Sequence, residues 1–376
     1  MTDSDTATPA PVPAPRHRSP WHVSYSGVTL IAALELKQRV RSTKWKWALG
    51  AFFALVGAVT LLLVWSFSTF SYEDEPLDSS GVIFGVVVFF VLFLGLLVSP
   101  TLSATSINGD SKEGTLAPLQ ATALSAFDIV LGKLLGAWIA SLAFVVTALP
   151  FLLFSFLTSN VPVGAVVVTV VVLAAELLVV CALGLGWSAV TTRTPASAVL
   201  TFVSVATLTV LSLVFFGLST TLVVEEVEVR VYENTYYDSA TGEEECEWVE
   251  RTYTEPRTDR TWWMLAINPF VIVADAAPSR DNPDQSLYED QTMLGSIKYG
   301  VRSLRLGPEL VRDYCWTSES ENLPEFEDRR EDLVALSPVW PLGLGVHLLL
   351  AIGAVVLAVR RVTVPYGTLA TGMRVA

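Results

Sequence analysis

Six long stretches of the chain are almost purely apolar, and polar segments separate them. They fall at about 47–70, 82–105, 131–157, 163–189, 196–222 and 339–359. About 20 apolar residues in a helix cross the ~30 Å of hydrocarbon in a bilayer. Lipid offers no partner to an exposed peptide group, so each stretch must close its own hydrogen bonds as a helix. The pattern therefore predicts an all-α polytopic membrane protein with six transmembrane helices. Ahead of the first stretch, residues 24–41 read as an amphipathic helix. Val28, Ile31, Ala32 or Leu34, and Leu36 supply its apolar positions, and Lys37, Arg39 and Arg41 its basic ones. Two readings stand side by side: a helix lying in the membrane interface, or a charged anchor for the first span. Trp45 and Trp47 suit the headgroup belt. Residues 1–20 are rich in Pro, Ala, Thr and Ser and read as a disordered tail. No cleavable signal peptide is expected, because the first apolar run follows a long polar stretch.

Between the fifth and sixth stretches the pattern changes. Residues 224–232 alternate apolar and polar, as in a half-exposed strand. A second strand is expected over 246–253, with a turn over 238–242. The segment exceeds an ordinary loop, so an extracytoplasmic α+β insertion is expected there. Residues 262–274 are apolar but short; they read either as a re-entrant segment or as a core helix of the insertion. The expected organisation is a tail over 1–22, an interfacial helix over 23–46, five spans over 47–222 with a loop at 106–130, the insertion over 223–338, and a last span with its tail over 339–376.

Composition sharpens this picture. Hydrophobic residues make up 52% of the 376 and charged ones 16%, against about 25% charged in soluble domains. The formal charge is −13, but its source is local. Of 37 acidic residues 26 lie in 223–335, against 11 of the 24 basic ones. Such an acidic block gives no footing for nucleic acid. Basic residues mark one side of the membrane: Lys37, Arg39, Arg41, Lys44 and Lys46 before the first span, Lys112 and Lys133 in the second loop, Arg193 in the fourth, and Arg360, Arg361 and Arg374 after the sixth. The loop after the first span carries Glu73, Asp74, Glu75 and Asp78 instead. Both termini are therefore expected in the cytoplasm and the acidic insertion outside. An outside location permits a disulfide between Cys246 and Cys315; two unpaired thiols are the alternative.

Candidate chemistry is sparse. Glu176 is a carboxylate inside a span, a costly placement. It reads either as part of a translocation or ion path, or as a structural hydrogen-bonding group. Glu225 and Glu226 with Arg230 match the Glu-Glu-x-x-x-Arg pattern of intramembrane proteases, but they alternate like a strand and lie outside the spans. Of the three histidines, His17, His22 and His347, only His347 lies in a span, where packing is the expected role. Neither C-x-x-C nor H-E-x-x-H occurs, so no zinc site is expected. No G-x-x-x-x-G-K-[ST] loop occurs either, so ATP must bind elsewhere if it is used at all.

The loop after the second span is the most informative stretch. Asn108, Gly109 and Gly114 break it into short pieces, Thr115 stands where it would cap a short helix to about residue 121, and Ser125-Ala-Phe-Asp128 fits a capping box. Asp110, Glu113-Gly114-Thr115-Leu116, the stretch from Leu119 to Ser125, and Ile129 to Lys133 together resemble the ABC-2-type permeases. Asn268-Pro269-Phe270 between the last two spans adds to the likeness. Ala123 stands where that family usually has proline. The resemblance implies a permease, itself no enzyme, built as a homo- or heterodimer with each chain seated on a separate ATPase subunit that binds ATP-Mg. It also implies that the loop is the coupling element, with Asp110, Glu113, Gly114, Thr115, Leu116, Leu119 and Asp128 as contact residues. The implied setting is a bacterial cytoplasmic membrane and the implied activity export. An ATP-independent sensor or scaffold, or an ion-coupled transporter using Glu176, are the competing readings.

Overall fold

The computed structural model describes residues 19–70, 79–120, 122, 124–158, 161–237, 244–278, 292–315 and 336–363. Residues 1–18 of the expected tail over 1–22, the turn expected over 238–242, the acidic loop at 71–78 and Arg374 fall outside them. Among the described residues, six helices are long and apolar enough to cross a membrane.

Helix α1 (Tyr25–Arg41) precedes the first span α2 (Thr43–Phe70) and the second, α3 (Ser79–Ser103). Two short helices follow, α4 (Asn108–Glu113) and α5 (Leu116–Gln120). The third and fourth spans are α6 (Ala126–Leu157) and α7 (Val163–Val190). The fifth is interrupted: α8 (Thr194–Ala206) passes through a π-turn at Thr207–Leu211 into α9 (Ser212–Leu222). The sixth span, α14 (Trp340–Val362), closes the bundle. All six predicted spans are present. The third starts five residues earlier than its apolar run, because the capping box at Ser125 and Asp128 initiates the helix before lipid-facing residues begin.

The insertion opens with a long hairpin. Strands β1 (Val224–Tyr237) and β2 (Glu244–Pro256) pair antiparallel, with Val231 opposite Val249, and β3 (Val311–Asp313) adds parallel to β1, giving the order β2-β1-β3. The alternation is expressed as expected: Val229 and Val231 are buried, whereas Glu226, Glu228 and Arg230 are exposed. A bond joins Cys246 to Cys315. The hairpin springs directly from the membrane bundle, since Arg257 N–H donates to the Val223 carbonyl at 2.8 Å.

Three short helices then run back into the bundle: α10 (Thr258–Thr261), α11 (Trp263–Ala266) and α12 (Pro269–Ala276). Asn268 caps α12 by accepting from Phe270 N–H, and Pro269 sits in the first turn, where its missing N–H costs nothing. Ile272, Val273 and Ala274 are fully buried in one cluster with Phe84, Val87 and Leu173 of the spans, and Phe270 stacks edge-on against Phe89 at 5.2 Å. Of the two readings of 262–274, each holds for part of it: Ile272 to Ala274 pack among the spans, as a re-entrant segment would, and Leu265, Ala266 and Val271 pack with Val301 of the insertion. Helix α13 (Met293–Ser303), unforeseen in the sequence, covers this segment.

Candidate functional site at the loop end of the bundle

The second loop leaves the end of α3 and bonds to the adjoining ends of α6, α7, α8 and α14. At the start of α4, Ser188 on α7 accepts from the N–H groups of Ile107 (3.0 Å) and Asn108 (3.2 Å), orphan donors at a helix start. Ser188 in turn donates to Asn108 Oδ1, and Asn108 Nδ2 donates to Ser197 Oγ on α8 at 2.8 Å. At the other end of α4, Gly114 takes the left-handed conformation (φ 74°) that closes a helix. Thr115 N–H then bonds the Asp110 carbonyl at 2.9 Å. The Thr115 hydroxyl also donates to that carbonyl, rather than capping α5. Gln120 at the end of α5 donates to the Val362 carbonyl, which fastens the loop to the last turn of α14.

The charged core of this end is Lys133. It is 2% exposed, and its ammonium lies 2.6 Å from Glu35 on α1 and 2.5 Å from Asp110 on α4. Glu35 also pairs with Arg39, whose guanidinium donates to the Leu102 carbonyl at the end of α3. A lone lysine at this depth would be costly; two carboxylates within hydrogen-bonding distance compensate it. One ammonium therefore ties α1, α4 and α6 together.

Asp128 is the second anchor. Fully buried, its carboxylate accepts from Ser125 N–H (3.1 Å) as half of the capping box and from Ser24 N–H (2.7 Å) at the start of α1. Ser125 donates to the His22 carbonyl, and Trp21 packs against Phe127. Helix α1 is thus clamped along α6, with Val28, Ile31 and Ala32 buried between them. Of its basic flank Lys37 and Arg41 stay exposed, whereas Arg39 turns inward, and Leu34 of the expected apolar face is exposed.

The seven loop residues named from the sequence divide by position. Glu113, Gly114 and Thr115, with Lys112, form an exposed crest. Asp110 and Leu119 are half-buried, and Leu116 packs into the core beneath the crest. Asp128 lies under the surface, where its carboxylate holds the start of α1 against the start of α6 rather than facing outward. Sequence reasoning did not find Glu35 or Ser188, and it read Asn108 as a turn residue, whereas Asn108 opens α4 and bonds to α7 and α8. Glu35 was signalled by a lone acid within α1; Ser188 carried no signal. Lys133 was legible only as a marker of orientation.

A second polar constellation lies within the bundle. Glu176 on α7 meets His347 on α14, and His347 also reaches the Ile267 carbonyl. Beside it Asn268 Nδ2 donates to the Thr209 carbonyl (2.7 Å) and to Ser212 Oγ (2.9 Å) at the π-turn of the fifth span. Further out, Asp275 accepts from Val339 and Trp340 N–H at the start of α14 and from Arg302 on α13. Among the described residues no group of three or more His, Cys, Asp or Glu side chains could hold a metal.

Six apolar spans, a surface loop of two short helices and a segment folded back among the spans define a multi-pass α-helical membrane protein. The family model for ABC-2 family transporter proteins matches residues 29–282 of the 376, well over half of the chain, and the chain belongs to that family. A search of curated proteins finds no match.

Proposed function

We propose that this chain is the membrane subunit of an exporter in a bacterial cytoplasmic membrane, driven by ATP that a separate ATPase subunit hydrolyses, and that the α4 crest is what the ATPase grips. The observation that carries this reading is the way the crest is mounted. An exposed Lys112–Thr115 ridge stands on a helix bolted to four others by Lys133, Asp110 and Asn108, so a push on it moves spans rather than a slack loop. The charge rule supports a cytoplasmic crest, since Lys112, Lys133, Arg193, Arg360 and Arg361 belong to this end of the spans, and the packing joins the crest to the ends of α7 and α14. A second permease chain completes the transporter. The fifth and first spans bury the least of their apolar windows, 17% and 22%, and so offer it the most open faces.

The test is co-purification with the ATPase from native membranes. Glu113→Arg reverses an exposed charge without touching the core, so the ATPase is expected to be lost while thermal stability is retained. Leu116 is unsuitable for this purpose because it is buried. Retention of a functional ATPase complex by Glu113→Arg overturns the assignment of the crest. Labelling of a cysteine at 113 only from outside the cell overturns the orientation.

A further inference from the structure

Glu176 is 1% exposed and His347 0%, and they come from different spans. His347 Nδ1 lies 2.8 Å from Glu176 Oε2, and Nε2 lies 2.9 Å from the Ile267 carbonyl oxygen. The chemistry of these atoms fixes the number of protons. A carbonyl oxygen can only accept, so Nε2 carries a hydrogen. The Nδ1 to Oε2 contact then needs one further proton between the two atoms, as a carboxylic O–H donating to Nδ1 or as Nδ1–H donating to a carboxylate. Without it, two sets of lone pairs face one another across 2.8 Å and a bare carboxylate sits in a low-dielectric interior. The other oxygen, Oε1, is buried with no hydrogen-bond partner, which makes the proton-free state costlier still. With a second proton the pair becomes a buried cation lacking a counter-charge.

The neighbouring elements bring little that could substitute. Helices α3, α8 and α9 carry no charged side chain, and α7 adds only Cys181. On α12, Asp275 is engaged by Arg302 and by the start of α14. Lys298 and Arg302 belong to α13, Asp259 and Arg260 to α10, and Lys44 and Lys46 to the first turn of α2. Asp128 and Lys133 of α6 are engaged in the loop-end network, and Arg360 and Arg361 sit in the last turn of α14.

We infer that Glu176 and His347 form a binding site for a single proton, and that its occupancy fastens the re-entrant segment to the fourth and sixth spans. Through the adjoining Asn268 the same segment is fastened to the π-turn of the fifth. Loss of the proton releases the α7 to α14 link and lets water enter beside Ile267. The proton belongs to the pair rather than to either residue. The inference stands whether or not an ATPase grips α4.

The experiment uses the full chain in lipid nanodiscs. His17→Ala with His22→Ala leaves His347 as the one histidine, so ¹⁵N-histidine labelling reports it alone. The expected spectrum shows Nε2 protonated and hydrogen-bonded, with an Nδ1 resonance that changes as the pair loses its proton at rising pH. The thermal midpoint of the otherwise unaltered chain should fall across that same range. In Glu176→Gln the amide still bonds Nδ1 but has no proton to release, so the pH dependence of the midpoint should be lost. If that variant fails to assemble, Glu176→Gln with His347→Gln, in which the two amides pair and neither side chain can take up or release a proton, carries the same comparison. Parallel pH profiles in parent and variant, or an Nε2 without its hydrogen, overturn the inference.

Discussion

At the scale of single residues, the loop end of the bundle rests on Lys133. Its two carboxylate partners come from α1 and α4, and Glu35 is 98 positions away in sequence. Replacing it with methionine leaves Asp110 without its cation and Glu35 with Arg39 alone. Breaking a fully buried pair costs about 3–5 kcal/mol; Asp110 keeps 31% of its side-chain surface in solvent, so a smaller loss, roughly 2 kcal/mol, is expected. Thermal unfolding of Lys133→Met, Asp110→Asn and the double variant checks this. The double variant should be little worse than Lys133→Met, and strictly additive losses would show that the two groups do not interact. In sequence this lysine was indistinguishable from one that lets its ammonium snorkel to water at a span end. Its partners are set by the fold of α1 back along α6, which no local pattern encodes. Asp128 was legible for the opposite reason. The capping box is a contact between residues three apart, so its geometry follows once a helix starts at Ala126.

At the scale of elements, the spans and the β1–β2 hairpin were legible because each is carried by a periodicity: unbroken apolar length for the spans, alternation for the strands. The π-turn in the fifth span was not, since Thr207–Leu211 reads as ordinary apolar helix. What selects it is Asn268, which takes up the Thr209 carbonyl from a different part of the chain. Helix α13 was overlooked although Thr292, Leu294, Ile297 and Val301 carry a cap and a helical spacing. The junction of hairpin and bundle makes a pH-dependent prediction. Arg257 pairs with Asp259 and with Glu225 where β2 passes into α10. Its guanidinium holds the Asp259 carboxyl below the ordinary aspartate value. A depressed carboxyl stabilises above its unfolded pKa and loses that contribution as pH falls through the folded one. Asp259→Asn should therefore melt below the parent chain at pH 7. The gap should persist down to about pH 4 and close only in more acid solution. A gap already closed at pH 6 would assign the stabilisation to another group.

At the scale of the whole molecule, polar contacts concentrate at three levels with apolar packing between them. Lys133, Asn108 and Asp128 bind the loop end; Glu176, His347 and Asn268 bind the re-entrant segment; Asp275 and Arg302 bind the base of the insertion. Between α1 and α6 the fit depends on a missing side chain. A Cβ at Gly132 would lie 2.6 Å from Ile31 Cβ and 2.9 Å from the Val28 carbonyl, and neither can yield without moving α1. Gly132→Leu must therefore lift α1 from α6, at an overpacking cost of about 1–3 kcal/mol, and draw Glu35 away from Lys133. If the three levels are independently closed, the damage stays at one of them. Hydrogen exchange on the full chain in nanodiscs should then show α1 and α4 deprotected while α12 and the β1–β2 hairpin exchange as before. Deprotection reaching α12 would mean that α6 and α7 transmit the displacement along their length. In that case the loop end and the re-entrant segment work as one rigid body, and a force applied to the crest would reach the Glu176–His347 pair directly.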